Sequence, residues 1–255
     1  FARGREYSRS AKEILAEAKK AVKNGAKEIW LLGQNVNSYG IMEKTSWEGK
    51  TKLGAKPKIK KGCLTFANLL RAVNKIPGNF WIRFTSAHPK DFSRDLIKAM
   101  AECEKFPKYL NLPVQSGDDG VLKRMNRNYT RKHFIKLVEE IRRRVPKIAI
   151  STDTIVGFCG ETEKEFSNTL KLYRELKFDM AFIAEYSPRP NTASALALKD
   201  NVTHREKERR RKKLNEILKK TATENSKKLR GKILLILVDE EKNSRFFGKS
   251  PQNKT

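Results

Sequence analysis

Ser151-Thr-Asp-Thr-Ile-Val-Gly-Phe-Cys-Gly-Glu-Thr162 continues an apolar run that begins at Ile148, and its character changes within a few residues. β-Branched residues carry it to Val156, and two glycines, a cysteine and an acid follow. This pattern is a buried strand breaking off into a polar, glycine-rich loop, and Thr162-Glu-Lys-Glu165 then caps a helix. The same break occurs at Leu32-Gly-Gln-Asn-Val-Asn-Ser-Tyr-Gly40, Phe84-Thr-Ser-Ala-His-Pro89, Leu112-Pro-Val-Gln-Ser-Gly-Asp118 and Tyr186-Ser-Pro-Arg-Pro-Asn-Thr192. Polar groups at the carboxyl ends of successive parallel strands are where an α/β barrel builds its active site. Five such ends predict one composite pocket, and hence an enzyme.

Helices separate the runs. Ser10-Ala-Lys-Glu13 is a second capping box, with Ile14, Leu15, Ala18 and Val22 on one face and Gly25 as the stop. Phe66, Leu69, Leu70 and Val73 mark the next helix, and Leu96, Ile97 and Met100 mark one within 91–104. Phe134, Leu137, Val138 and Ile141 mark another, and Phe166, Leu170 and Tyr173 follow the box at Thr162. Strands are expected at 28–32, 80–84, 109–114, 148–156 and 180–186. Five alternations predict a parallel sheet with right-handed crossovers. The first helix arrives without a strand of its own. The expected fold is therefore α/β, a partial (β/α)6 TIM-like barrel with its first strand missing.

Two stretches break the rhythm. Residues 44–61 hold seven Lys, one acid and three Gly or Pro, the composition of a flexible basic insertion. Residues 205–232 hold 13 Lys or Arg and 4 acids, a net of +9, and open as a polar helix with Leu214, Ile217 and Leu218 inward. A strand is expected at 232–238, and Arg245-Phe-Phe-Gly would complete the first hairpin of a small β-barrel. The domain boundary is placed near 213–215, giving a core at 1–214 and a second domain at 215–255. Both ends of the chain are expected to be cut.

The net charge of +27 attracts polyanions, nucleic acid foremost. Cys63, Cys103 and Cys159 share no CxxC spacing, which fits a reduced cytoplasmic protein with neither a disulfide framework nor a cysteine metal site. The longest apolar run, 233–238, is too short to span a bilayer. Phosphate-loop and GxGxxG patterns are both missing, which disfavours nucleoside triphosphates and dinucleotides. His88, His133 and His204 share no metal spacing, and His88 beside Pro89 reads as a structural hydrogen-bonding residue.

Gln34 and Asn35, just past a strand, offer donors and acceptors to an amino-acid head group or a ribose, although Asn also bonds its own backbone in plain turns. Gln115 and Ser116 follow Pro113, which removes a ladder donor, as binding edges tend to do. Asp153 can accept from hydroxyls, and Gly157 and Gly160 would let a flat ligand lie against backbone. The strip Lys123-Arg-Met-Asn-Arg127 with Arg131-Lys132 suits RNA or a solvated helix face equally.

Taken in order, six segments closely resemble the radical S-adenosylmethionine methylthiotransferases. They are Gly33-Gln-Asn-Val-Asn-Ser-Tyr-Gly40, Arg83-Phe-Thr-Ser-Ala-His-Pro-Lys-Asp-Phe92, Leu112-Pro-Val-Gln-Ser-Gly117, Met125-Asn-Arg-Asn-Tyr-Thr130, Gly157-Phe-Cys-Gly-Glu-Thr162 and Tyr186-Ser-Pro-Arg-Pro-Asn-Thr192. The resemblance covers essentially the whole chain and is nearest the branch acting on N6-dimethylallyladenosine in tRNA. Residues 232–255 resemble the start of that family's RNA-binding TRAM barrel. In the family a CxxxCxxC loop binding a [4Fe–4S] cluster precedes an Arg-Gly segment, matched here by Arg3-Gly4 and Ser8-Arg9. The chain is therefore expected to begin after that loop and after a domain holding a second cluster. Cys159 stands where the family usually has proline, Asn191 where it has glycine and Ala87 where proline is common. The 44–61 insertion is longer than typical.

The resemblance implies a transferase that cleaves S-adenosylmethionine reductively, removes hydrogen from C2 of a prenylated adenosine beside the anticodon, and delivers a methylthio group there. Its cofactors would be S-adenosylmethionine and two [4Fe–4S] clusters in the full-length protein, with a flavodoxin or ferredoxin as electron donor. On this reading Gln34, Asn35 and Ser86 hold the methionyl and ribose side. Gln115, Ser116 and Asp153 complete a polar ring, and Gly157 and Tyr186 border adenine. No catalytic residue or metal ligand is assigned within this chain. The tRNA backbone is assigned to Arg209, Arg210, Arg211, Lys212, Lys213, Lys227, Lys228 and Arg230. A cytoplasmic monomer is expected. The alternatives are a relative acting on a ribosomal-protein aspartate or on threonylcarbamoyl-adenosine, and a non-catalytic RNA-binding module.

Overall fold

The computed structural model describes residues 7–41, 64–190 and 192–255, which divide into two units, Phe1–Pro107 and Lys108–Thr255. Arg3, Gly4, Cys63, Asn191 and the basic insertion lie outside the described residues.

In the first unit, helix α1 (Ala11–Lys23) begins with the expected box. The Ser10 hydroxyl accepts from the Glu13 N–H, and the Glu13 carboxylate accepts from the Ser10 N–H. Strand β1 (Glu28–Leu31), α2 (Phe66–Asn74), β2 (Trp81–Phe84) and α3 (Arg94–Glu102) follow. β1 and β2 pair in parallel, Glu28 opposite Trp81 and Leu31 opposite Phe84. Leu70, Val73, Ile82 and Met100 are fully buried and form the core. The helix expected from residue 91 starts only at Arg94, because Pro89–Asp91 form a separate 3-10 turn and Ser93 supplies the cap.

The second unit contains β3 (Tyr109–Asn111), α4 (Asp119–Arg124), α5 (Arg131–Arg144), β4 (Ala149–Val156), α6 (Glu163–Leu176) and β5 (Met180–Glu185). After them come α7 (Ala193–Ala197), α8 (His204–Lys227), β6 (Leu237–Lys242) and β7 (Arg245–Lys249). β3, β4 and β5 form one parallel sheet in that order. β3 stops at Asn111 rather than at 114, since Pro113 has no N–H for the ladder. The chain rejoins β4 at Gln115, whose N–H donates to Asp153 O at 2.8 Å and whose carbonyl accepts from Ile155 at 2.9 Å. Ile150, Thr152, Thr154 and Val156 are buried, and Tyr173 on α6 donates to Thr154 Oγ1 at 2.7 Å. Asp153 and Ile155 alternate onto the more open face.

α8 runs unbroken through residues 213–215, where the domain boundary was expected, and Leu214 is fully buried. The strand expected at 232–238 lies instead at Leu237–Lys242, and 232–236 form no strand. Asn243 and Ser244, both at positive φ (50° and 56°), make a two-residue hairpin turn that pairs Lys242 with Arg245. The turn sets the strand frame, and the apolar run does not.

Candidate functional site at the strand ends

In the first unit, the chain leaving β1 reaches Asn35, whose Nδ2 donates to Asp91 Oδ2 at 2.8 Å. Its Oδ1 is buried with no partner. Asn37 ties this loop to the one after β2, donating to His88 O at 2.9 Å and accepting from His88 N at 3.0 Å. Ser86 sits in that second loop at φ 60°. His88 Nδ1 accepts from the Lys90 N–H at 3.2 Å, the structural role expected of it. Gln34 is exposed.

In the second unit, Asp153 is half-buried, and that burial pushes its carboxyl above the ordinary value against the pull of a hydrogen bond from Asn111. Asn111 Nδ2 also donates to Ser151 Oγ at 3.0 Å, and Tyr109 Oη lies 2.7 Å from the same hydroxyl. Phe182, directly opposite Asp153 in the register, is 59 % exposed. Tyr109, Asn111, Ser151, Asp153 and Phe182 thus share one sheet face, and of these only Asp153 carries a binding role on sequence grounds. Period-2 alternation along 109–111 and 151–153 was the available signal. Gln115, held at φ 66°, is half-buried at the same strand end. Ser116 is not a pocket residue. It is wholly buried, accepts from the Asp118 N–H at 3.3 Å and lies 3.4 Å from Thr169 Oγ1 on α6.

Gly157 has φ 69°, and its N–H donates to Glu161 Oε2 at 2.6 Å. The space a Cβ would need there holds the aliphatic stem of Lys207. The glycine therefore admits a lysine stem to one side of this backbone. Tyr186 stacks edge-on against Phe158 with centroids 4.8 Å apart, and its carbonyl accepts from Lys207 Nζ at 2.9 Å. Cys159 is buried in the same small cluster, with Val121 and Phe158.

The basic residues divide. Arg210 is buried and donates to Glu161 O and Oε2, both at 2.8 Å, and to Glu206 at 2.7 Å. It is thereby removed from the phosphate-binding set. Arg209 pairs with Glu206 at 2.6 Å, Arg211 with Glu185 at 2.7 Å and Lys212 with Glu208 at 2.8 Å, surface pairs that a polyanion can displace. Lys213, Lys227, Lys228 and Arg230 are exposed. In the strip at 123–132, Arg124 forks onto Glu165 at 2.9 and 3.0 Å and Arg131 pairs with Glu175 at 2.8 Å. Among the described residues no helix is long and apolar enough to cross a membrane. Nor, among them, could any group of three His, Cys, Asp or Glu side chains hold a metal ion.

Parallel strands alternating with helices, with hydrogen-bonding groups where the strands end, define an α/β fold. The chain belongs to the radical SAM superfamily (SAM, S-adenosylmethionine), whose family model matches residues 1–173. It is 44 % identical over 241 residues to the tRNA-2-methylthio-N(6)-dimethylallyladenosine synthase of Clostridium tetani, covering 94 % of this chain and 49 % of that protein. A protein of the same name from Acetivibrio thermocellus is 43 % identical over 257 residues, covering 100 % and 50 %. The chain thus spans about half the length of the curated relatives it matches. Among solved structures, the Escherichia coli coproporphyrinogen III oxidase, described as a radical SAM enzyme, aligns over 61 % of this chain and 36 % of its own. The TM-score is 0.50 at 19 % identity, a likeness of fold alone.

Proposed function

We propose that the chain is part of a methylthiotransferase that places a methylthio group on C2 of N6-dimethylallyladenosine beside the anticodon of tRNA. The observation that carries this reading is the identity to synthases of that modification, held at 43–44 % over nearly all of the chain. Six ordered motifs, five of them at strand ends and one between α4 and α5, support it.

The described residues suit S-adenosylmethionine. A buried acceptor without a donor, such as Asn35 Oδ1, is matched by an amino group like the one on the methionyl side. Asn35, with Gln34 and Ser86 in the same unit, is assigned that side. In the second unit Gln115 and Asp153 are assigned the hydroxyls, and Gly157 and Tyr186 form a wall toward adenine. Phe182 offers a stacking face for the target base. When bound, the cofactor and its iron–sulfur cluster supply the radical chemistry at C2. This chain contributes orientation and the exclusion of side reactions. Cysteines for two [4Fe–4S] clusters are assigned to the rest of the full-length protein. Exposed basic residues on α8 and just past its end, with a TRAM-like module after the helix, would bind the tRNA backbone. A flavodoxin or ferredoxin as donor and a cytoplasmic monomer complete the proposal.

The test is nucleoside mass spectrometry of tRNA from a strain lacking the gene. Loss of the 2-methylthio mark from dimethylallyladenosine, restored by the full-length protein, supports the reading, and persistence of the mark ends it. Loss from threonylcarbamoyl-adenosine or from a ribosomal-protein aspartate would move the substrate within the family.

A further inference from the structure

Lys207 belongs to none of the roles assigned above, yet it is only 6 % exposed. Its stem packs against Gly157 in the loop after β4. Its Nζ donates to Tyr186 O at the end of β5 (2.9 Å) and to Asp200 Oδ2 in the segment before α8 (2.6 Å). Three stretches of chain therefore meet on one side chain. One turn further along the helix, Arg210 grips Glu161 through both its carbonyl and its carboxylate, and that carboxylate accepts the Gly157 N–H. Asn201 closes the same region by accepting from the Gly160 N–H at 2.8 Å.

Lysine is almost never buried unless it is paired, and an apolar side chain of similar length would fill the space beside Gly157 as well. What the ammonium adds is direction. It fixes the Tyr186 carbonyl and the Asp200 carboxylate relative to α8, through hydrogen bonds to a charged group that are stronger than neutral ones. Arg210 does the same for Glu161, and through it for the amide of Gly157.

We propose that Lys207 and Arg210 are positioning residues that lock the Gly157–Gly160 loop and the Tyr186 strand end onto α8. The backbone wall assigned to the cofactor and the helix assigned to tRNA are then one rigid piece. The inference rests on the reading of that wall as part of an S-adenosylmethionine site.

The experiment uses the full-length protein with Lys207→Met, which keeps the stem over Gly157 and removes the ammonium. Glu216→Gln, an exposed position on the same helix, is the control. Two quantities are measured: amide hydrogen exchange of peptides covering 156–161 and 186–203 without ligand, and the Kd for S-adenosylhomocysteine. The expected result is exchange accelerated about tenfold in those peptides and not in peptides of α5, with Kd weakened about tenfold, the size of one lost charged hydrogen bond. Glu216→Gln should change neither. If Lys207→Met fails to fold, Asp200→Asn takes its place with the same two measurements. Unchanged exchange overturns the proposal, as does faster exchange with unchanged affinity. Should the wild-type protein not bind S-adenosylhomocysteine, the cofactor reading falls, and the exchange measurement alone decides whether α8 holds these loops.

Discussion

Asp153 and Phe182 stand directly opposite each other in the parallel register of β4 and β5, a half-buried carboxyl beside an exposed ring. A large aromatic left open in mid-strand is suited to stacking on a nucleobase, which is worth about 1–3 kcal/mol. Phe182→Ala should therefore lower kcat/KM for tRNA about 10- to 100-fold while leaving the Kd for S-adenosylhomocysteine within about twofold. Steady-state methylthiolation and calorimetry on the full-length protein check the two halves. Equal losses in both would mean that the ring only supports the sheet.

The Asp153 carboxyl carries a pH signature of its own. Burial raises its pKa, the Asn111 hydrogen bond opposing, so the folded state holds this proton more tightly than the unfolded chain does. Ionisation then subtracts from stability. The loss is absent below the ordinary carboxylate range, grows as pH rises through the window between ordinary and folded values, and is complete above it. Asp153→Asn removes it. Its thermal midpoint should exceed that of the wild type at neutral pH, and the gap should narrow near about pH 4. A gap independent of pH would show that the substitution acts through packing.

Asn35 and Gln34 are adjacent in sequence and differ in surroundings: Asn35 Oδ1 is buried and partnerless, while Gln34 is exposed. Losing a hydrogen bond to a charged amino group costs about 1.5–3 kcal/mol. Asn35→Ala should thus weaken S-adenosylhomocysteine about 10- to 150-fold. Gln34→Ala and Asp153→Ala should each weaken it by less. Wild-type affinity in both of these last variants would remove the two residues from the site.

Local signals were legible where the chemistry is local. Both capping boxes form as written, at Ser10–Glu13 and Thr162–Glu165, and the apolar runs gave all five parallel strands to within a few residues. What stayed hidden depended on distant partners. Arg210 reads as a member of a cationic helix face, because Glu161 lies far back in sequence and nothing local marks it as its partner. Ser116 looked like a binding-edge hydroxyl until Thr169 of α6 covered it. Helix α4, six residues long, is too short for periodicity to register, and it depends on the Asp118 cap and the fork between Arg124 and Glu165. The frame of β6 is set by two residues at positive φ, a conformation that Asn243 favours and Ser244 does not advertise.

Gly117 shows a constraint of space alone. A Cβ there would come within 2.6 Å of Thr169 Cα and 3.0 Å of Asn168 O, both backbone atoms of α6 that cannot swing aside. Gly117→Ala should cost about 1–3 kcal/mol, read as a lower urea midpoint at unchanged slope. Gly160, at φ 70° with no atom within 4 Å of the added carbon, isolates the conformational penalty. Gly160→Ala should cost about 1–2 kcal/mol. If Gly117→Ala proves harmless, α6 can move away from the strand end, and Ser116 is less firmly held than its burial indicates.

The division of the basic residues predicts where tRNA binding fails. Arg210 is committed to Glu161, whereas Lys213, Lys227, Lys228 and Arg230 face solvent. Each phosphate contact contributes about 0.7–0.9 to the slope of log affinity against log salt. Changing Lys227, Lys228 and Arg230 together to Gln should therefore weaken tRNA binding and flatten that slope by up to about 2–3, with the thermal midpoint unchanged. Arg210→Gln should behave in the opposite way. Leaving Glu161 buried and unpaired costs about 3–5 kcal/mol of stability, while the salt slope keeps its wild-type value. Filter binding across a salt series, run beside thermal denaturation, separates the two. A flattened slope in Arg210→Gln would return that residue to the RNA-binding set, and an unchanged slope in the triple variant would move the tRNA contacts off the end of α8.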